Sequence, residues 1–162
     1  CRQILINDIR TEIEMPHSTS GLVKWVDKDV IYQDADVISL HVPLTHRTRN
    51  LLSKKELTAM KSDALLINTS RGGIINEQDL FEVLESGHLG GVALDVFEDE
   101  PYSGPLRMVD RCLLTSHMGS MSIDCRMSME VEATEEVIRY VLGRPLKNLA
   151  PDFEYKSQRS LV

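Results

Sequence analysis

Nothing in this chain is long and apolar enough to lie across a bilayer: its apolar runs are a few residues each, where a spanning helix needs about 20. No basic-then-apolar segment of the kind that directs secretion opens the chain. Positive charge is also in short supply, with 18 lysines and arginines against 25 aspartates and glutamates and a formal charge of -7. There is no Lys/Arg run, and no patch interleaving basic with aromatic residues, to neutralise phosphates along a groove, so nucleic acid is not an expected partner. Cysteine is scarce: Cys1, Cys112 and Cys125 show no CxxC spacing, which argues against a zinc or disulfide framework and reads as reduced thiols. No internal repeat or low-complexity tract occurs. The expectation is a soluble, cytoplasmic protein that engages neither membrane nor nucleic acid and carries no metal.

What is present has the size of one domain, since 162 residues suffice to bury about two-thirds of the surface an unfolded chain exposes. Short apolar runs of β type alternate with helical patterns, the signature of βαβ units on a parallel sheet. The spacing predicts strands over Ile4–Ile6, Leu22–Val26, Val37–Val42, Ala64–Ile67, Gly91–Val96 and Cys112–Thr115. Between them Ser53-Lys54-Lys55-Glu56 reads as a capping box opening a short helix. Asn76 to Ser86 places Leu80, Val83 and Leu84 on one helical face before Gly87 stops it. The longest helical pattern is Met121–Leu142, with Met127, Val131, Ile138 and Val141 near helical spacing and Gly143-Arg144-Pro145 closing it. Beyond Pro151 the tail is polar.

The chemistry-bearing residues fall at particular places. Asp8, His41, Arg71, Asp95 and His117 each sit at or just past the carboxyl end of a predicted strand, the edge at which open parallel sheets bind ligands. Each has an ordinary reading taken singly: a turn acid, a packing or surface histidine (as for His41 and His88), a solvated arginine. Glu98-Asp99-Glu100-Pro101 by itself reads as a solvated acidic loop. Five such residues gathered at one edge favour a binding site. Arg71 is the most pointed of them, because it follows the buried-looking run Ala64-Leu65-Leu66-Ile67 and precedes two glycines.

Longer stretches carry more. "ADVISLHVPLTHRTRNLLSKKEL", "MKSDALLINTSRGGIINEQDLFEVLESGHLGGVALDVFEDEP" and "LLTSHMG", in this order and spacing, resemble the NAD-binding domain of the D-2-hydroxyacid dehydrogenases, the family of phosphoglycerate, glycerate and D-lactate dehydrogenases. The resemblance runs from Ile4 to about Asn148, and Ser116 and Met118 depart from the family's common proline and isoleucine around the histidine. It implies an α/β fold, a doubly wound, mostly parallel Rossmann-like sheet, here without the first strand and the glycine-fingerprint helix that usually precede the strand matched by Ile4–Ile6. With that central strand absent, two apolar strand edges are expected to face a gap. Residues 1–148 are then a partial dinucleotide-binding domain, and 149–162 a tail that would return to a substrate domain the chain does not contain.

By the same resemblance Arg71, Glu100 and His117 match the catalytic arginine, glutamate and histidine. Reducing a 2-oxo acid delivers hydride to C2, and the charge growing on the carbonyl oxygen must be met by a proton, for which a histidine backed by a carboxylate is suited. A planar, permanently charged arginine grips the substrate carboxylate and polarises the carbonyl. The implied cofactor is NAD, with Asp8 accepting from the adenosine ribose hydroxyls, Val42 and Pro43 over the ribose, Thr69, Ser70 and Arg71 beside the nicotinamide, Asp95 on the carboxamide, and His117 with Gly119 in the closing loop. The implied partners are a small 2-hydroxy or 2-oxo acid, such as 3-phosphoglycerate, and a second copy in a homodimer. Catalysis is not expected of the isolated chain. The alternative is a non-catalytic module that senses NAD(H) or dimerises.

Overall fold

The computed structural model describes residues 2–9 and 21–149. Cys1, Arg10 and the polar tail expected beyond Pro151 lie outside the described residues. Among the described residues the six predicted strands and three predicted helices form in order, with one further helix, α1: β1 Ile4–Ile6, β2 Val23–Trp25, α1 Lys28–Asp34, β3 Val37–Leu40, α2 Lys54–Ala59, β4 Leu65–Asn68, α3 Glu77–Glu85, β5 Gly91–Leu94, β6 Cys112–Leu114 and α4 Ile123–Val141. Pro105–Met108 adds a single 3-10 turn. Helix α1 was not visible in the sequence pattern; only Tyr32 of its seven residues is buried, so its apolar stripe is too narrow to read.

Among the described residues all strand pairs are parallel, and they form two sheets. One is β1-β2, with Ile4 opposite Val23; the other runs β3-β4-β5-β6. The split falls where the sequence led us to expect a gap. Between the facing edges of β1 and β3 opens a groove of about 870 Å³, floored by Leu5, Ile6, Val37 and Leu40 and reaching Asp8 and His41 at the carboxyl end. Among the described residues no helix is long and apolar enough to cross a membrane.

Local chemistry explains the helix starts. The Glu56 carboxylate accepts the Ser53 N–H at 3.1 Å and the Ser53 side chain accepts in return from the Glu56 backbone, the expected capping box. Asn76 caps α3 by accepting from the Asp79 N–H at 2.9 Å, and Ser122 caps α4 by accepting from Cys125 N–H at 3.2 Å. The core forms on one side of the larger sheet, where Ile38, Leu40, Leu66, Val92 and Leu94 meet Leu57 of α2 and Leu80, Val83 and Leu84 of α3. The opposite side of that sheet stays open among the described residues, leaving Val37, Leu65 and Leu113 exposed. Helix α4 has the predicted span but buries no residue: Met127, Val131, Ile138 and Val141 all remain exposed.

Candidate active site

The four strands of the larger sheet are parallel, so their carboxyl ends share one edge, and the loops leaving β4, β5 and β6 build the site there. Strand β4 ends in Asn68, which is 2% exposed. A buried amide needs its hydrogen bonds satisfied, and Asn68 spends them on the next three residues. Its Oδ1 accepts from the Ser70 N–H at 3.1 Å and the Ser70 hydroxyl at 2.8 Å, while its Nδ2 donates to the Arg71 carbonyl at 2.9 Å. Thr69 to Arg71 therefore wrap around one side chain. On the far side of the turn, Asn50 N–H donates to Gly73 O at 2.8 Å and Leu52 N–H to Ile74 O at 3.2 Å. Gly73 has φ +75°, a left-handed conformation that suits glycine.

This frame leaves the Arg71 guanidinium exposed at the strand edge, donating from Nη1 to the Ser70 carbonyl at 2.6 Å. Among the described residues no carboxylate forms an ion pair with it. An arginine fixed by its backbone and lacking an internal counter-ion is equipped to receive an external anion.

The loop after β5 brings Glu100, and the loop after β6 brings His117. Glu100 Oε1 accepts from the Phe97 N–H at 3.0 Å, and His117 Nδ1 donates to Glu100 Oε2 at 2.9 Å. The Phe97 N–H, then His117, hold the Glu100 carboxyl below the ordinary carboxylate range, so it is ionised at neutral pH. With Nδ1 committed to the carboxylate, Nε2 is the ring nitrogen left to exchange a proton with a ligand. Beside the pair lies a cavity of about 470 Å³ between Tyr102, Arg107 and Ser116.

Asp95, at the end of β5, is buried and holds the His117 loop in place. Its Oδ1 accepts from the Thr115 hydroxyl at 2.5 Å and from the Met118 N–H at 2.8 Å, its Oδ2 from the Gly119 N–H at 3.2 Å, and its carbonyl from the His117 N–H at 2.8 Å. Burial pushes its carboxyl up, but the hydrogen bonds from Met118, Thr115 and Gly119 outweigh burial and leave it below its ordinary value. His117 itself has φ +53°, a conformation that costs a non-glycine residue about 1–2 kcal/mol and is sustained here by those bonds. A carboxylate accepts about four hydrogen bonds, and three are occupied, so Asp95 has room for one more donor.

The remaining predicted residues sit at the groove. Asp8 lies exposed two residues past β1 and lines it together with His41 and Val42. His41 Nε2 is 2.9 Å from the Ser39 hydroxyl, and His88 Nε2 is 3.0 Å from the Met60 carbonyl. Pro43 heads the loop that follows, its carbonyl accepting from the Thr48 hydroxyl at 2.6 Å. Arg71, Glu100, His117, Asp95 and Gly119 are thus brought together by three adjacent strands, with Val42 past the end of neighbouring β3, while Asp8 stands across the split. The sequence reading missed Asn68 and Thr115 as supporting residues. The signal for Asn68 was available: a polar residue closing a buried run directly before an arginine and two glycines.

The site and fold together define a parallel α/β domain that presents an unpaired arginine and a carboxylate-backed histidine at its strand edge. A family model for the NAD-binding domain of the D-isomer specific 2-hydroxyacid dehydrogenases matches residues 2–119. The chain is 39% identical over 124 residues to D-3-phosphoglycerate dehydrogenase of Synechocystis sp., covering 76% of this chain and 22% of that protein. To glyoxylate reductase of Thermococcus litoralis it is 38% identical over 127 residues, covering 78% of this chain and 38% of the relative. Among solved structures, NAD-dependent formate dehydrogenase from Staphylococcus aureus in complex with NAD superposes with a TM-score of 0.74 at 33% identity, covering 81% of this chain and 40% of that one. The chain belongs to the D-isomer specific 2-hydroxyacid dehydrogenase family, within its NAD-binding domain. It spans well under half the length of these relatives.

Proposed function

We propose that this chain supplies the cofactor-binding side of an NAD-dependent oxidoreductase that interconverts a small D-2-hydroxy acid and its 2-oxo acid. The observation that carries the proposal is the 2.9 Å contact between His117 Nδ1 and Glu100 Oε2 at the sheet edge shared with the unpaired Arg71. Bound NADH supplies the hydride. In the reductive direction Arg71 binds the substrate carboxylate with its planar fork and draws electron density from the adjacent carbonyl. His117 donates the Nε2 proton to the carbonyl oxygen as negative charge develops there, and the ionised Glu100, accepting from Nδ1, fixes the tilt of the ring. Oxidation of the hydroxy acid reverses these roles, with His117 taking the hydroxyl proton.

The residues present suit the dinucleotide at both ends. The open acceptor position on Asp95 suits a carboxamide N–H, with Thr69, Ser70 and Gly119 around it. Asp8 at the groove suits the ribose hydroxyls and disfavours a 2′-phosphate, which selects NAD over NADP. Val42 and Pro43 would cover that ribose. The names of the relatives support glyoxylate or 3-phosphoglycerate as the substrate class, and hydroxypyruvate reductase of Thermotoga maritima adds another small 2-oxo acid. Residues 1–148 constitute the cofactor-binding unit in this proposal, and its assembly is a homodimer.

The test is a thermal-shift titration with NADH, NADPH and ADP-ribose, followed by NADH oxidation assays with glyoxylate and hydroxypyruvate in the native protein that carries this segment. The expected result is a shift with NADH and ADP-ribose that exceeds the shift with NADPH, loss of that preference in Asp8→Ala, and loss of 2-oxo acid reduction in His117→Ala. NADH binding with no reduction in the native protein supports a non-catalytic NAD(H)-sensing module and overturns the enzymatic reading.

A further inference from the structure

Two loops meet behind the His117–Glu100 pair, and helix α3 holds them together. Phe97 is flanked by two N–H groups, and each is taken by a carboxylate. The Phe97 N–H goes to Glu100 Oε1 at 3.0 Å, while the Glu98 N–H goes to Glu77 Oε1 at 2.7 Å. Glu77 is the first residue of α3, the helix that begins just after the arginine turn, and it is half-buried. An acidic residue in a helix's first turn is favourable on its own account, so its presence there has an ordinary explanation. Its reach across to the β5 loop does not follow from that, since the exposed alternative needs no partner 21 residues away. Beneath the same peptide, Gly72 approaches so closely that a Cβ there would lie 1.8 Å from the Phe97 carbonyl oxygen and 2.6 Å from Glu98 N. The Phe97–Glu98 peptide is thus held both by the close approach of the arginine turn and by the Glu77 carboxylate.

We propose that Glu77 is a positioning residue for the acid: by fixing the Glu98 N–H it sets the orientation of the preceding Phe97 N–H, which in turn places the Glu100 carboxylate on His117. This inference rests on the reading of Glu100 and His117 given above. It couples the arginine turn to the proton-donating pair through backbone, so that the anion-binding and proton-transfer groups keep a set separation. The charge of Glu77 works against this arrangement, because it lies among Glu98, Asp99 and Glu100; those neighbours, after burial, raise its own carboxyl above the ordinary range. A carboxylate that accepts the Glu98 N–H in spite of its acidic neighbours shows the hydrogen bond outweighing their repulsion.

That opposition makes the test decisive by sign. The Glu100 carboxyl carbon is followed by NMR through an acid titration in the unmutated chain and in Glu77→Ala, Glu77→Gln and His117→Ala. Removing the Glu77 charge alone relieves repulsion and moves the Glu100 midpoint down. Losing the placement of Glu100 on the Phe97 N–H and His117 moves it up. The expected result is a rise of about half a pH unit or more in Glu77→Ala and none in Glu77→Gln, whose side-chain carbonyl still accepts the Glu98 N–H. A midpoint that falls or stays fixed in Glu77→Ala, while rising in His117→Ala, overturns the positioning role and leaves the pair intact. A midpoint unmoved in His117→Ala overturns the pair itself and the function built on it. In the unmutated chain the Glu98 amide proton is expected to shift with the Glu77 midpoint. An amide indifferent to that titration refutes the contact without recourse to any variant.

Discussion

Gly72→Ala is the most demanding perturbation of this site. The added methyl would sit 1.8 Å from the Phe97 carbonyl oxygen, 2.0 Å from its carbon and 2.6 Å from Glu98 N. All three are backbone atoms, so no side-chain rotation relieves the clash. Ordinary Cβ contacts require more than 3 Å, and the arginine turn and the Glu100 loop must separate by at least about 1.2 Å. Overpacking of this kind costs roughly 1–3 kcal/mol, and urea denaturation of the isolated chain measures it. The functional cost is larger than the stability cost, because the separation moves Arg71 away from His117. A misplacement of about 1 Å in a catalytic group costs roughly 100-fold in rate. The assay is steady-state NADH oxidation in the native protein that carries this segment, with NADH affinity measured alongside. The expected outcome is a kcat lower by about 100-fold with NADH affinity changed less than about threefold. Gly21→Ala is the control, since nothing lies within 4 Å of its added Cβ; it is expected to stay within about 0.5 kcal/mol of the parent. A Gly72→Ala protein as stable and as active as that control would refute the close approach and the coupling drawn from it.

The other predictions concern separate parts of the structure. Asp95→Asn is expected to destabilise the chain by about 2 kcal/mol at neutral pH, since it weakens charge-assisted bonds from Thr115, Met118 and Gly119. Because the Asp95 carboxyl sits below its ordinary value, its contribution is fully present above the ordinary carboxylate range and is lost as pH falls through the lower folded-state value. Urea midpoints for parent and variant should therefore converge as the Asp95 carboxyl protonates on acidification, and a gap that widens instead contradicts the assignment. Arg71→Lys keeps the charge but loses the planar fork, and kcat/KM for the 2-oxo acid is expected to fall about 10- to 100-fold. A change under about threefold would mean that Arg71 does not grip the carboxylate. Leu66→Ala, at a position that is 0% exposed, is expected to cost about 2–5 kcal/mol in urea denaturation, and a loss under 1 kcal/mol would argue against the core on that side of the sheet.

The elements most legible in the sequence were those specified by neighbouring residues. Apolar runs marked all six strands, with ends off by at most two residues: Val37–Val42 shortened to Val37–Leu40, and Ala64–Ile67 moved by one to Leu65–Asn68. Asn76 and Ser53 announced their helices because a cap or capping box acts within four residues of chain. Arg71, Glu100 and His117 stood out through the family resemblance; singly, each had an ordinary reading. Asn68 was passed over because its task, wrapping Thr69 to Arg71, depends on its being buried, and burial is a property of the assembled sheet.

By itself, then, the sequence determined the alternation of parallel strands and helices and the placing of charged residues at strand ends, because periodicity, caps and glycine turns are encoded over a few residues. Only the tertiary structure decided which loops touch. Gly72 meets Phe97 across 25 positions of chain, Glu77 meets Glu98 across 21, and His117 meets Glu100 across 17. The bare apolar side of α4 belongs to the same category. Strand pairing and burial are relations between distant segments, settled when parallel strands align their carboxyl ends and bring otherwise unrelated loops into one edge.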